Sequence, residues 1–241
     1  MILLAIETST KQLGAAILKD GDLLSSYESH GAGYPHATEL PDAVKRVLDG
    51  SRVKLDQVEA IAVDIGPGSF TGLRIGLAFV KALSFGTKKM VVGIPSLDVL
   101  SAGLLFSSSP ICPILDAKQK NVYAAIYVRD GDAVKKQTDY LLGPIGDVLS
   151  RISEPTIFLG DGALLNRELI QKRLGKKALF APQEFWLPSA GTLARLGFER
   201  LSSGSHDDPE RLVPLYLYPL DCSVRGPDRP TSVLPKAVAV P

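Results

Sequence analysis

The residues whose types and spacing come nearest to chemistry lie in the stretch Asp64-Ile65-Gly66-Pro67-Gly68-Ser69-Phe70-Thr71-Gly72-Leu73-Arg74-Ile75-Gly76. Glycines let a backbone turn tightly and bring amide N–H groups to a helix start, a geometry suited to anions. The stretch departs from both common phosphate loops. No Gly-Lys-Ser/Thr follows, as a P-loop requires, and Thr71 stands where a dinucleotide fingerprint needs its third glycine, which falls at Gly72. The next strand, around Met90 to Ile94, ends in Pro95-Ser96 rather than in an acid that could hold a ribose. Two readings stay open. In one, Gly66, Gly68 and Ser69, with Glu7, Ser9 and Asp116 at other strand ends, form a vestigial nucleotide loop. In the other, Gly66 and Gly68 make the turn while Gly72 and Gly76, four apart on one helix face, admit another helix closely, with Thr71 as the helix cap.

Other chemistries find little support. Ser69 lies in Gly-Ser-Phe-Thr-Gly, which is not the G-x-S-x-G elbow of a nucleophilic serine. The chain has three histidines, His30, His36 and His206. The first two are six apart across Gly-Ala-Gly-Tyr-Pro, a spacing of neither H-x-x-x-H nor H-E-x-x-H, and read as surface loop residues, His36 ordering the helix that follows. Two cysteines, Cys112 and Cys222, are far apart and lack metal spacing, so free thiols in a reducing compartment are expected. Cys112 opens a buried strand beside Pro113 and reads as core. Asp116 ends a strand, either as a turn cap or as a ligand contact. No metal and no cofactor are expected.

These residues need a scaffold to position them. The 241 residues suffice for one large domain or two of about 100 residues each, with 45% hydrophobic and 22% charged composition. A net charge of +1 exerts no global pull toward nucleic acid or anionic lipid. The N-terminal run Met1-Ile2-Leu3-Leu4-Ala5-Ile6 has no basic flank and stops at Glu7-Thr8-Ser9-Thr10. It is neither a signal peptide nor a membrane span, and a cytoplasmic protein is expected.

Strands are predicted at 2–7, 14–18 and 23–27, the last two joined by the hairpin signal Asp20-Gly21. A helix from Thr38 to Leu48, a buried strand at 60–65, a helix at 71–85, a strand at 90–94 and a helix at 96–105 follow. After Ser107-Ser108-Ser109-Pro110 the order restarts: strands at 111–115, 122–128 and 134–140, a helix at 145–152, a strand at 156–159, a helix at 164–174, a strand at 178–180 and a helix at 190–201. The fold class is therefore α/β, a duplicated β-β-β-α-β-α-β-α unit with a cleft between units at 1–108 and 109–218. The Pro-rich tail 219–241 is expected to be poorly ordered.

The duplicated unit resembles the actin-like ATPase fold. More narrowly, Ile6-Glu7-Thr8-Ser9, the Gly66–Gly76 block, Leu115-Asp116-Ala117-Lys118 and the closing Pro214-Leu215-Tyr216-Leu217 resemble the TsaB (YeaZ) family of bacterial tRNA N6-threonylcarbamoyladenosine biosynthesis. Lys118 departs from the arginine expected there. The resemblance implies a non-catalytic subunit whose catalytic paralogue, TsaD, carries the metal. It implies a heterodimer with a TsaD homologue, a complex with a TsaE homologue, and a homodimer in isolation. Where TsaD has an acidic pair after Glu-Thr-Ser, this chain has Lys11 and Gln12, and the metal-binding H-x-x-x-H would fall on Leu97 to Ser101. A divalent cation beside phosphates needs carboxylates. The alternative of a small-metabolite kinase or ATPase is disfavoured on that ground.

Function is then expected at an interface. Leu40, Val44 and Val47 form a stripe on the first helix; Leu73, Leu77 and Val80 form one on the second, flanked by Gly72, Gly76 and Ala78. The second helix is apolar nearly all round, which demands central burial or a partner. The resemblance favours the partner. Basic residues such as Lys45-Arg46 and Lys172-Arg173 read as scattered, solvated pairs, so tRNA is expected to be contacted only indirectly.

Overall fold

The computed structural model describes residues 1–30 and 36–218, so the expected poorly ordered tail, Cys222 and most of the loop before the first helix lie outside the described residues. The first half consists of β1 (Ile2–Glu7), β2 (Gln12–Lys19), β3 (Asp22–His30), α1 (His36–Ser51), β4 (Ala60–Gly66), α2 (Phe70–Thr87), β5 (Met90–Pro95) and α3 (Ser96–Ala102). The second consists of β6 (Ile111–Lys118), β7 (Asn121–Ala124), β8 (Tyr127–Asp130), β9 (Ala133–Lys136), β10 (Leu141–Pro144), α4 (Ile145–Leu149), β11 (Thr156–Leu159), α5 (Asp161–Leu165), α6 (Arg167–Leu174), β12 (Ala178–Phe180) and α7 (Ala190–Ser202). No helix among the described residues is long and apolar enough to cross a membrane.

The two sheets share one plan. The first runs β3-β2-β1-β4-β5, antiparallel through β3, β2 and β1 and parallel from β1 to β4 and β5. The second repeats it as β10-β7-β6-β11-β12, with the hairpin β8–β9 added beside β6. Asp20 and Gly21 both take positive φ, 51° and 95°, as a tight hairpin turn of this hand requires.

Side chains alternate across a strand, so a sheet buried on both faces needs helices on both. Leu4, Ile6, Ile17, Ile61 and Val63 point to α1 and α2, whereas Leu3, Ala5, Ala16, Leu18 and Ala62 point to α7. The second sheet buries Cys112, Ile114 and Val122 on the side of α4 and α6, and Ile111, Leu115 and Tyr123 on the side of α3. The halves thus exchange helices. The last helix of the second half, α7, covers the first sheet, while Leu97, Leu100 and Leu104 in and after α3 pack on the second.

Several element boundaries differ from expectation. The strand expected at 122–128 divides into β7 and β8 because Ile126 turns its backbone to Thr138 Oγ1 (3.0 Å) and Gln137 N–H (2.7 Å). The helix expected at 164–174 starts earlier and breaks at Asn166, whose φ/ψ of −108°/14° is non-helical and whose amide donates to Gly162 O (2.8 Å). Helix α1 starts at His36 rather than being capped by Thr38, and α2 is capped by Ser69 rather than Thr71, Ser69 Oγ accepting Gly72 N–H at 3.2 Å.

Beyond α7 the chain returns across the first sheet as a strap. Asp207 N–H donates to Val91 O (2.8 Å), and its carboxylate accepts Gly93 N–H (2.8 Å) and the Arg200 guanidinium (2.7 Å), which also donates to Gly93 O (2.7 Å). We predict that Asp207→Ala lowers stability by about 1–2 kcal/mol, since it strands one backbone donor and one guanidinium. Urea denaturation checks this; a variant with an unchanged midpoint would show that the strap is held by its apolar contacts instead.

Candidate functional site

The glycine block connects β4 to α2 and lies against the exit of β1. A side chain at Gly68 would place its Cβ 2.2 Å from Ser9 O; at Gly72, 2.1 Å from Thr8 O; at Gly76, 2.3 Å from Thr8 Oγ1. The close approach foreseen for Gly72 and Gly76 is therefore real, but it is made chiefly by the turn after β1, with His36 of α1 also reaching Gly72, where a Cβ would meet its ring at 3.1 Å. Ser69 N–H donates to Ser9 O (2.6 Å), tying the loop to the same turn. Gly66 has φ of 97°, which glycine adopts without strain.

Beneath this contact lies a buried pair of carboxyls on neighbouring parallel strands. Glu7 Oε1 accepts Ser9 N–H (2.7 Å) and Ser9 Oγ–H (2.5 Å); Asp64 Oδ1 accepts Gly66 N–H (2.7 Å) and Ser96 Oγ–H (2.6 Å). The second oxygens, Glu7 Oε2 and Asp64 Oδ2, have no donor around them unless one carboxyl keeps its proton. Burial, and then the neighbouring Asp64 charge, push Glu7 well above the ordinary carboxylate range, and burial raises Asp64 too. Both shifts favour a proton retained by the pair. Both carboxyls are consumed in holding the two turns. His36 is no surface residue either: it is buried in the first turn of α1, and its Nε2–H donates to Thr10 O (2.9 Å).

The face of the loop away from this pair lines a cleft of about 720 Å³ between the halves. Ser9, Lys11, Gly68, Ser69 and Arg74 come from the first half, Asp116, Lys118, Tyr123 and Asp161 from the second, and Leu215–Tyr218 of the strap from the chain's end. Asp116 caps the turn after β6, accepting Lys118 N–H (2.9 Å) and pairing with the Lys118 ammonium. Its own N–H donates to Asp161 Oδ1 (2.9 Å). Burial raises Asp161, a residue that sequence reasoning missed. The internal repeat could have found it, because Gly160-Asp161-Gly162 follows β11 as the glycine block follows β4, and Gly162 would meet Leu115 C at 2.7 Å. The strap closes the cleft mouth. Leu215 N–H donates to Ile65 O (2.7 Å), Tyr216 lies 5.7 Å from Phe70 and accepts from Arg74 Nε (3.0 Å), and Tyr218 Oη donates to Ala117 O (2.9 Å).

The expected interface set needs correction. Leu40, Val44, Val47, Leu77 and Val80 are buried in the chain's own core against the first sheet. Leu73 is buried beside Gly66, and Gly72 and Gly76 face Thr8. Only Ala78 of that set faces outward. The exposed row of α2 is instead Thr71, Arg74, Ala78, Ala82 and Phe85, with Ile75 and Phe79 half-buried beside it, and Phe85 is 77% exposed. The stripe with the cleaner apolar spacing went to the sheet, as an amphipathic stripe ordinarily does. Where a metal-binding H-x-x-x-H would lie, Leu97 is core and Ser101 Oγ–H donates to Asp98 O (3.0 Å). Among the described residues no three His, Cys, Asp or Glu side chains gather to hold a metal. Cys112 is buried as core, its thiol pushed up to about 12.

We expect Gly76→Ala to cost about 1–3 kcal/mol through overpacking against Thr8, read as a fall in the denaturation midpoint. The carboxyl pair has a pH signature. A folded-state pKa raised above the unfolded value of about 4.3 means that the native state binds more protons, so stability is fullest below that value and is lost as pH rises toward the folded pKa. Glu7→Gln should flatten this decline. Equal slopes of unfolding free energy against pH for the wild type and Glu7→Gln would rule the pair out as its source.

Comparison with known proteins follows the same lines. The family model for TsaD, tRNA N6-adenosine threonylcarbamoyltransferase, matches residues 30–219. The tRNA threonylcarbamoyladenosine biosynthesis protein TsaB of Bacillus subtilis is 30% identical over 220 residues, 90% of this chain and 94% of that protein. TsaB of Escherichia coli is 26% identical, with the same two shares covered. The solved structure of YeaZ from Pseudomonas aeruginosa superposes with a TM-score of 0.76 at 27% identity, over 90% of this chain and 99% of that one. A ROK hexokinase from Thermus thermophilus, 13% identical with a TM-score of 0.51 over 85% of this chain and all of that one, shares the fold alone. The expected actin-like ATPase fold is the observed one.

Proposed function

We propose a non-catalytic, partner-binding role for this chain, which belongs to the TsaB (YeaZ) family of tRNA threonylcarbamoyladenosine biosynthesis proteins. It takes part in forming N6-threonylcarbamoyladenosine in tRNA. Its contribution is to bind and stabilise the catalytic subunit, a TsaD homologue, in a complex completed by a TsaE homologue, and to pair with itself when alone.

The observation that carries this reading is the outward row of α2. Thr71, Ala78 and Ala82 are small, Ile75, Phe79 and Phe85 are apolar, and one helix therefore offers both faces to burial. The inner face is filled by the sheet, leaving the outer one for a partner helix to cover. A standard interface buries roughly 1,600 Å² in total, more than one helix row supplies, so the strip between α1 and α2 is included.

The engagement of the cleft carboxylates supports a non-catalytic role over the kinase or ATPase alternative. Glu7 and Asp64 are bonded inward to Ser9 and Gly66, Asp116 is held by Lys118, and Asp161 accepts the Asp116 N–H, so each of these carboxylates already has a partner within the chain.

Ala78→Glu places a charge on the exposed row without touching the core. We expect it to abolish co-purification with the TsaD homologue, to prevent reconstitution of tRNA modification, and to leave the circular-dichroism melt within about 2 °C of wild type. Retention of the partner by this variant would remove α2 from the interface, and brisk ATP turnover by the isolated chain would favour the enzyme reading.

A further inference from the structure

Helix α6 and the 3-10 turn after it at Gly175–Lys177 contribute little to the core: Ile170 is buried and Leu174 half-buried, and the rest faces solvent. What the segment presents is charge. Residues 167–177 carry Arg167, Lys172, Arg173, Lys176 and Lys177 against a single Glu168, a net of +4 in a chain whose total is +1. Pairs that look scattered along the sequence converge on one ridge. Lys177 Nζ–H donates to Ser153 O (2.6 Å), and Arg173 reaches over Gly146 of α4.

The charges are uncompensated. Among the described residues four Lys or Arg side chains pair with acids, Lys118 with Asp116, Lys135 with Asp130, Arg200 with Asp207 and Arg211 with Asp208, so the ridge is set apart by its density of cations and not by their lack of partners alone. Among the described residues none of the five ridge cations has such a partner. The helix macrodipole explains Lys172 and Arg173, which lie in the last turn of α6 where cations are favoured. It does not explain Arg167, which opens the helix where a cation is disfavoured and instead covers the Phe180 ring at 4.3 Å. Nor does it reach Lys176 and Lys177, which lie past the helix end.

We propose that this ridge is a contact surface for the sugar–phosphate backbone of RNA. Crowded, unpaired cations on long side chains lose their mutual repulsion against a polyanion and gain from counterion release. A ridge about 15 Å long meets several successive phosphates, and contacts of this kind orient a nucleic acid without reading its sequence. The proposal rests on the chain's role in tRNA modification, and it assigns to this subunit a direct hold on the substrate that the sequence reading withheld.

The test uses the full chain and unmodified tRNA, with binding followed by fluorescence anisotropy over a salt series. The ridge variant Lys172→Glu/Arg173→Glu/Lys176→Glu/Lys177→Glu is set against a dispersed control of equal charge change, Lys19→Glu/Lys45→Glu/Lys54→Glu/Lys135→Glu. The ridge variant should lose at least about tenfold in affinity, with a log–log salt slope shallower by about one for each phosphate contact removed. The control should stay within about threefold. If the reversed charges unfold the ridge variant, Lys172→Gln/Lys176→Gln/Lys177→Gln replaces it. Where the isolated chain binds too weakly to measure, the KM for tRNA of the complex reconstituted with the TsaD homologue is the readout, and it should rise. Equal losses in ridge and control variants, an unchanged KM, or binding to anionic phospholipid vesicles but not to tRNA would each overturn the proposal. Ala78→Glu should retain the ridge's affinity and the ridge variant should retain the TsaD homologue, so failure of one reading is separable from failure of the other.

Discussion

The structure depends most on the contact between the start of α2 and the turn that leaves β1. Three positions along 68–76 can carry no side chain because Thr8 and Ser9 occupy the space it would need. The contact fixes where α2 crosses the first sheet and which of its faces turns outward. It also fixes the loop that lines the cleft. Two buried carboxyls sharing a proton hold the turns on either side of it, each binding the backbone N–H two residues downstream. Burying two neighbouring carboxyls is costly when both are ionised, which is why burial raises both Glu7 and Asp64 and favours a proton retained between them.

One consequence is a change of employment for a loop that looks made for phosphate. Its glycines are spent on packing against Thr8 and Ser9, and the acids beneath it, Glu7 and Asp64, are bonded to the turns of the same loop region. The strap reinforces this by laying Tyr216 and Tyr218 along the mouth, each with its hydroxyl bonded across to one half. The same crossing geometry that buries the inner face of α2 leaves its outer row exposed.

The exchange of helices makes the two halves one body. Because α7 completes the burial of the first sheet and the α3 region that of the second, neither sheet is covered on both faces by its own half. The duplicated order therefore does not mean two independent folding units divided at the linker near residue 108, and the strap adds a third crossing. Burial of both faces also explains why β1, β2 and β4 read as largely apolar runs, whereas the edge strand β3 is mostly exposed.

The sequence alone determined much of the outcome. Most of the strand and helix order followed from periodicity and turn residues, the duplication from the repeated order and the family from the Gly66–Gly76 block. The strand expected at 134–140, however, is the added β9, and the one that completes the repeat is β10 at Leu141–Pro144. Local signals misled where the backbone bonded outside its own element, as at Ile126, where two residues of similar type competed for one cap, as Ser69 and Thr71 did, and at the start of α1 and the break at Asn166. Facing was decided by the tertiary structure. The stripe of Leu73, Leu77 and Val80 and the row of Ala78, Ala82 and Phe85 are both apolar, and only the crossing over Thr8 says which is buried. Likewise the proximity of Glu7 to Asp64, of Asp116 to Asp161, and of Lys177 to Ser153 arises from strand adjacency and helix packing between residues distant in the chain. Periodicity within one segment carries no record of such neighbours, because it reports how a helix or strand divides its own faces and not what lies opposite them.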